Sequence, residues 1–465
     1  MTEPFLHPDR LFSSDNKQRD IARSLYQQVK DLPIVSPHGH TDPRWFADNT
    51  AFSDASSLLI QPDHYLFRML YSQGVSLERL GFAEPVASRD IWRLFAAHYH
   101  LFQGTPSRMW FDHALSTVFA IDERLHAGNA DTLFDRINEQ LAQPQCLPRA
   151  LFDQFNIELL ATTESALDDL QYHDQIAAAD WSGRVVTTYR PDSVVDPDYE
   201  GFAANIKTLG QLTATDTTTW QGYLMAHRVR RAYFIARGAT ATDHGHPTAM
   251  TADLSVVACE QLYAKVLANT HSAFEAELFR GQLLTEMAAM SLDDALVMQI
   301  HPGVHRNHNA SLFKRFGRDK GADLPATVSF TTGLKPLLDR FGNNTELTII
   351  LFTLDETTYS RELAPLAGHY PALKLGPAWW FFDSPEGMLR HKRQTLETAG
   401  FYNTAGFNDD TRAFLSIPAR HDVARRIDCR HLAELVSEHR ITEQEAFSLA
   451  FELGVGFARK AYGLG

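Results

Sequence analysis

The amino-acid sequence predicts a (β/α)8 barrel with a helical insertion after the first strand. Eight short runs of apolar or β-branched residues are typical of buried parallel strands. Most of these runs are separated by stretches long enough for a crossover helix. The length of 465 residues allows about three domains, but it also fits one barrel with insertions.

In chain order, the predicted strands cover residues 32–36, 157–163, 184–189, 239–243, 295–300, 348–354, 372–375 and 402–408. Near-continuous apolar strands alternating with helices indicate a parallel sheet that is covered on both faces. Eight repeats favour closure of this sheet into a barrel.

More than a hundred residues between the first two strands contain helical patterns instead, for example at 89–102 and 132–141. We therefore expect residues 1–43 to hold the N-terminal segment and the first strand. Residues 44–150 form the predicted helical insertion, and residues 151–465 form the rest of the barrel with C-terminal helices.

Charge and cysteine content restrict the classes of partner. The chain has 43 Lys and Arg against 57 Asp and Glu, a net charge of −14, which repels nucleic acids and anionic membrane surfaces. Three cysteines without a CxxC motif are typical of a reducing compartment. No secretory pattern and no apolar run of about 20 residues is visible, so we expect a cytoplasmic protein. The sequence is compatible with a homo-oligomer.

His38 and His40 follow the first predicted strand. Residues i and i+2 of a strand point to the same face, so both imidazoles can bind one metal ion. Active sites of this fold lie at the carboxyl ends of the strands. The similar pair His98 and His100 lies in a helical pattern, where the two side chains diverge.

Asp410 ends the last predicted strand, which neighbours the first strand in a closed barrel. Its carboxylate can complete a site of two histidines and one carboxylate with open positions. The alternative is that Asp409 and Asp410 cap the following helix.

Arg190, Arg306 and Arg412 also lie just beyond strand ends. Guanidinium groups bind carboxylates through two parallel hydrogen bonds, so three of them favour an anionic substrate. Any one of them could instead form a salt bridge, such as Arg190 with Asp192.

Two further pairs of residues are candidates. His244 and His301 end predicted strands, where they could bind metal, orient substrate or serve as structural histidines. His64 and Tyr65 lie in the insertion and could transfer protons if it folds over the barrel mouth, although the spacing alone favours an ordinary helix start.

Trp379 and Trp380 follow the seventh predicted strand, where they could line a sugar site or fill the core. The sequence contains no nucleophile elbow, P-loop or dinucleotide fingerprint, so nucleophilic serine and nucleotide chemistry have no support.

The order of these motifs resembles the uronate isomerase (glucuronate isomerase) family of the amidohydrolase superfamily. From about residue 5 to the C-terminus, the motifs are PHGH, DHY, YRPD, TDHG, QIHPGVHRNHN, LGPAWWFFDS and DDTRAFLS followed by RH. The resemblance implies a distorted (β/α)8 barrel with a helical insertion after the first strand. It also implies interconversion of D-glucuronate with D-fructuronate and of D-galacturonate with D-tagaturonate. The sequence HRNHN departs from the LRNNN of many members, which leaves His305 and His308 without a role.

The resemblance also implies a role for each matching residue. The implied divalent-metal ligands, usually of zinc, are His38, His40 and Asp410, and the implied substrate contacts are His64, Tyr65, Arg190, His244, His301, Arg306, Trp379, Trp380 and Arg412. Whether His244 also ligates the metal stays open.

For this reaction we expect Tyr65, activated by His64, to take the C2 proton, and Asp410 to handle the proton at C1. Arg412 would stabilise the enediolate, and Arg190 or Arg306 would bind the carboxylate of the sugar. One alternative is a metal-dependent hydrolase of the same superfamily, acting on a carboxylated lactone or amide. Another is a catalytically inactive protein that binds sugar acids.

Overall fold

The chain reaches its first barrel strand after one N-terminal helix. The computed structural model describes residues 4–464. Helix α1 (Asn16–Val29) begins where the Asp15 side chain accepts a hydrogen bond from the Gln18 backbone N–H, which satisfies one free donor of the first turn. Strand β1 (Ile34–Ser36) follows and is buried throughout.

The insertion consists of helices, as predicted. The described chain between β1 and the second strand holds α2 (Pro43–Asp48), α3 (Ala55–Leu59), α4 (His64–Ser72), α5 (Ser88–His98), α6 (Pro106–Phe119), α7 (Ala130–Leu141) and α8 (Pro148–Gln154). These helices share one apolar cluster that includes the fully buried Trp92 and Phe95 and extends onto Ile34 and Ile157 of the barrel. The insertion is therefore packed on the barrel wall beside the first strand.

A parallel sheet forms the barrel wall. Its remaining strands are β2 (Ile157–Ala161), β3 (Glu164–Ser165), β4 (Val185–Val186), β5 (Tyr189–Arg190), β6 (Ala241–His244), β7 (Val297–Ile300), β10 (Ile349–Leu351) and β11 (Leu373–Leu375), and β8 (Val304–His305) and β9 (Leu324–Pro325) form an antiparallel hairpin outside it. The hydrogen-bonded orders are β1-β2-β4 and β11-β10-β7-β6-β5-β3. Strands β2 and β4 lie within the predicted strands 157–163 and 184–189, β3 begins directly after the first of these, and β5 begins at the last residue of the second. Seven of the eight predicted strands are therefore present.

Side chains alternate between the barrel interior and the surrounding helices. Val35, Ala241, Val297 and Ile350 pack together inside the barrel. Their sequence neighbours on the other face, such as Met298, pack against the helical layer. This period of two decides which polar residues at the strand ends enter the barrel mouth.

Helices surround the wall and close the chain. They are α9 (Gln171–Ala178), α10 (Asp192–Val195), α11 (Phe202–Thr213), α12 (Trp220–Ile235), α13 (Val256–Leu267), α14 (Ala273–Asp294), α15 (Ala310–Phe316), α16 (Phe330–Gly333), α17 (Lys335–Phe341), α18 (Ala364–Ala367), α19 (Pro385–Ala399), α20 (Ile417–Ser437), α21 (Glu443–Phe451) and α22 (Phe457–Ala461). Helix α1 packs against α20 and α21. Within residues 4–464, no helix combines the length and apolarity needed to cross a bilayer.

The eighth predicted strand, at residues 402–408, is wrong as a regular strand. It is reduced to a single parallel bridge between Thr404 and Leu375. Gly406 has a φ of 75°, which interrupts the extended backbone, and a Cβ at this position would lie 2.8 Å from the Ala458 backbone nitrogen. The close approach of α22 thus replaces regular strand pairing here and makes the barrel irregular.

Candidate active site

A cavity of about 340 Å³ opens at the carboxyl ends of the strands. Residues after β1, β5, β7 and β11 line it, together with the start of α4 and the segment before α20. Eleven of the twelve predicted site residues lie in its wall: His38, His40, His64, Tyr65, Arg190, His301, Arg306, Trp379, Trp380, Asp410 and Arg412. The insertion therefore covers the barrel mouth and contributes to the site.

His38, His40 and Asp410 converge on one point. The Nε2 atoms of His38 and His40 lie 3.4 Å and 3.1 Å from Asp410 Oδ1, and the three ligand atoms all lie within 4.8 Å of one another. The His40 backbone N–H donates to the Thr411 carbonyl (3.1 Å), which joins the first strand to the last segment. Two imidazoles and a carboxylate form a site that can hold a divalent metal ion.

The backbone and the charge of Asp410 both suit this position. Its φ of 41° lies in the left-handed region, which Asp tolerates better than most residues. Burial alone would raise the pKa of this carboxyl, but His38 and His40 outweigh burial and hold the pKa well below its usual range. The other oxygen of Asp410 accepts a hydrogen bond from Trp379 Nε1.

Asp243 was missed by the sequence analysis although it contacts two residues of the cavity wall from behind. It is fully buried, with Oδ1 2.6 Å from His301 Nε2 and Oδ2 3.2 Å from Arg190 Nη1. Burial opposes its charge, but His301 and Arg190 keep the pKa of Asp243 well below its ordinary value. Arg190 also donates from Nε to Asp192 (2.8 Å), so two carboxylates hold this guanidinium.

The predicted substrate contact at His244 is corrected by the structure. His244 is fully buried outside the cavity lining, and its Nε2 lies 2.9 Å from Thr242 Oγ1. Asp243 and Ala241 face the barrel interior, so the strand alternation turns Thr242 and His244 to the opposite face. Applied to 241–244, the same period of two could have identified Asp243.

The outer edge of the cavity is formed partly by the segment that carries the β8–β9 hairpin. Arg306 Nη1 donates to Asp323 (2.7 Å), and Arg412 Nη2 lies 3.5 Å from Asp319. We call Arg306, Asp319, Asp323 and Arg412 the rim. The rings of His305 and His308 lie 5.0 Å apart, are exposed and do not line the cavity.

His64 and Tyr65 begin helix α4, where the Asp63 side chain accepts from the Tyr65 and Leu66 backbone N–H groups. Burial, helped by Arg412, lowers the pKa of His64 to about 4, so this imidazole is neutral near pH 7. Its ring lies 6.4 Å from that of Trp380. In the described chain, no hydrogen bond joins His64 to the Tyr65 hydroxyl.

The Tyr65 hydroxyl instead donates to Asp383 Oδ1 (2.6 Å) and accepts from the Phe381 backbone N–H (2.7 Å). Burial and the Asp383 charge raise the pKa of Tyr65 well above its usual value. Asp383 therefore replaces His64 as the hydrogen-bond partner of Tyr65. Asp383 belongs to the LGPAWWFFDS motif, but nothing in the sequence alone pairs it with a residue 318 positions earlier.

The fold and the site define a class. A parallel barrel with two histidines after its first strand and an aspartate after its last segment is a barrel enzyme of the amidohydrolase type. Residues 5–458 match the sequence family described as glucuronate isomerase. The chain belongs to this family.

Individual relatives agree with this assignment. The chain is 65% identical to a uronate isomerase of Rhizorhabdus wittichii, over 99% of this chain and 98% of the relative. A crystal structure of glucuronate isomerase from Caulobacter crescentus is 58% identical and superposes with a TM-score of 0.98, covering 99% of this chain and 98% of that chain. A uronate isomerase structure from Thermotoga maritima is 26% identical, with a TM-score of 0.93 and coverage of 98% and 99%. The predicted fold class is confirmed, and the isomerase prediction is confirmed over the hydrolase alternative.

Proposed function

We propose that the protein interconverts D-glucuronate with D-fructuronate and D-galacturonate with D-tagaturonate by moving a proton between C2 and C1. The observation that carries this proposal is the meeting of His38, His40 and Asp410 in a cavity that Arg190, Arg306 and Arg412 also line. A cation site beside guanidinium groups suits a substrate that has both a carbonyl oxygen and a carboxylate.

We propose zinc as the divalent ion of the site. The residues of the site fit this ion, because two imidazole nitrogens face the same carboxylate oxygen. This donor set suits zinc and related first-row metals. When bound, the ion would supply positive charge to the carbonyl oxygen on which negative charge develops.

We propose that Tyr65 takes the C2 proton while its own proton passes to Asp383. The 2.6 Å hydrogen bond between the hydroxyl and the carboxylate supports this path. The electrons of the broken C2–H bond form the C1–C2 double bond of an enediolate. A free phenolate is not required, which matters because burial and Asp383 raise the pKa of Tyr65.

We assign the remaining steps to the other residues of the wall. Asp410 takes the proton of the substrate's C2 hydroxyl and delivers it to C1, while Arg412 stabilises the negative enediolate. The C1 oxygen takes a proton from solvent and Asp383 returns its proton to solvent, so the protons balance. Arg306 is favoured for the substrate carboxylate, because two carboxylates already neutralise Arg190 and only one contacts Arg306. His301 Nδ1 has no partner within the described chain and can donate to or accept from a sugar oxygen.

The indoles of Trp379 and Trp380 would contact the apolar face of the sugar, and neutral His64 would orient the sugar from the insertion.

We further propose that the protein acts in the cytoplasm, since Cys146, Cys259 and Cys429 are all unpaired and buried.

Incubation of zinc-loaded protein with D-glucuronate in D2O, followed by NMR, tests the proposal. We expect a ketose that carries deuterium at C1, because the transferred proton exchanges with solvent. The matched variants are His38→Asn, which should lose both metal and ketose formation, and His100→Asn, from the other H-x-H pair, which should keep both. Unchanged D-glucuronate and D-galacturonate with the metal-loaded protein would refute the function.

A further inference from the structure

Arg420 is a buried cation in the cavity wall that the proposed proton transfer does not yet use. It lies in α20, and its side chain is only 5% exposed. Its guanidinium donates from Nη1 to Asp383 Oδ2 (2.7 Å) and from Nε to Ser416 Oγ (3.1 Å). The guanidinium carbon also lies 3.6 Å from the centre of the Trp110 ring, within the range of a cation–π contact.

Arg420 and Tyr65 therefore bind opposite oxygens of one carboxylate. Tyr65 donates to Asp383 Oδ1, while Arg420 donates to Oδ2. The three residues come from helix α4 of the insertion, the segment after β11 and helix α20. The Tyr65 ring also packs edge-on against Trp110, with ring centres 5.7 Å apart. The position of the hydroxyl is thus set from both the insertion and the barrel.

The backbone also holds the Tyr65 oxygen in place. Phe381 has a φ of 66°, in the left-handed region that a bulky residue rarely adopts. In this conformation its N–H donates to the Tyr65 hydroxyl at 2.7 Å. A costly backbone conformation that supplies a hydrogen bond to a cavity group is typical of functional sites.

We propose that Arg420 is a positioning residue for the isomerisation: it holds and orients the Asp383 carboxylate so that Asp383 receives the Tyr65 proton. This inference rests on the proposed function. The C2–H bond breaks as a new O–H bond forms on Tyr65, and the original tyrosine proton moves to Asp383. The Arg420 guanidinium stays protonated throughout and offsets the charge of the carboxylate before the transfer.

The surroundings of Arg420 support a role beyond packing. Asp63 from the N-terminus of α4 and Asp409 from the segment before α20 also face it, and Asp409 accepts from Arg420 Nη1 through its backbone oxygen (3.3 Å). Burial lowers the pKa of this guanidinium, but Asp383 and the neighbouring groups outweigh burial and raise it. Loss of the guanidinium would leave Asp383 Oδ2 without this donor, and the carboxylate could rotate away from the Tyr65 hydroxyl.

The test compares Arg420→Met with Arg420→Lys by measuring kcat and KM for D-glucuronate. We expect Arg420→Met to lower kcat by about 10²-fold with KM changed less than about 3-fold, because the orientation of the acceptor affects the proton transfer and not substrate binding. Arg420→Lys, which can still donate to Asp383, should restore part of kcat. The matched control is Arg426→Met, which breaks another buried Arg–Asp pair of α20 away from the cavity and should leave kcat and KM unchanged.

A folded Arg420→Met protein with an unchanged kcat would overturn the inference. If Arg420→Met does not fold, Asp383→Asn tests the same acceptor. It should lower kcat as much as Tyr65→Phe, and combining the two should add little further loss. Additive losses would place Asp383 outside the proton path. An inactive unmodified protein would instead refute the proposed function itself.

Discussion

The floor and the rim of the cavity use the same kinds of ion pair in different surroundings. The floor consists of His38, His40, Asp243, His301 and Asp410, which lie in or directly after barrel strands. The side chains of Asp243 and His301 are 0% and 3% exposed, whereas Arg412 and Asp319 on the rim are 43% and 52% exposed. Water screens the Arg412–Asp319 pair, so a substrate carboxylate can displace Asp319 at low cost. Asp323, the partner of Arg306, is buried and more firmly held. No substrate group takes the place of the partners in the floor pairs, so these pairs must stay intact for the chemistry.

The largest difference between the two regions is expected from their carboxylates. Asp410→Asn should lower kcat by on the order of 10³-fold, because it removes a metal ligand and the group that handles the C1 proton. Asp319→Asn, in the same cavity but on the rim, should change kcat by less than about 3-fold, since an exposed ion pair contributes little. NMR turnover assays with metal analysis measure both variants. Equal losses would remove the functional distinction between floor and rim.

Stability should also differ between buried and exposed acids. Asp243→Asn leaves Arg190 and His301 facing a neutral amide in a dry site, and we expect unfolding to become easier by about 4 kcal/mol. The control is Asp293→Asn, whose exposed salt bridge with Arg228 should be worth less than about 1 kcal/mol. Urea unfolding followed by circular dichroism compares them. A small effect of Asp243→Asn would show that water reaches the floor.

A carboxyl behind the floor should make stability depend on pH. Glu164 on β3 is buried, accepts from Thr187 Oγ1, and has its pKa raised by burial to about 7. Because its pKa is raised on folding, the neutral form stabilises the fold fully below about pH 4.3, and this stability is lost as pH rises to about 7.

The loss attributable to Glu164 is about 3 kcal/mol across that range, and Glu164→Gln should remove it. Urea unfolding at several pH values measures the slope. The exposed Glu200→Gln serves as the control and should keep the slope of the unmodified protein. An identical slope in Glu164→Gln would show that this carboxyl is hydrated in the folded state.

The smallest expected effect lies on the rim. Arg306→Gln should raise KM for D-glucuronate by about 10-fold with kcat nearly unchanged, because it removes a charged hydrogen bond that forms on binding. Arg315→Gln is the control, since this arginine of α15 is exposed and pairs with Glu78 outside the cavity. Steady-state kinetics separates the two parameters. A fall in kcat alone would move Arg306 from substrate binding to the chemical step.

Local patterns in the sequence predicted most of the barrel. Apolar runs identified seven strands, and the missing strand signal at 44–150 identified the helical insertion. The run at 402–408 failed because its fate depends on contact between Gly406 and α22, which lies about 50 residues further along the chain. Local propensity carries no information about such a contact.

The sequence by itself determined the barrel, the helical insertion and the candidate set His38, His40 and Asp410, because the order of strands places their carboxyl ends together. Only the tertiary structure decided which side chains act in pairs. It turned His244 away and Asp243 inward, and it placed Asp383 between Tyr65 and Arg420. The physical reason is that pairing depends on distances of about 3 Å between segments far apart in the chain, while sequence patterns report mainly which face of an element is buried.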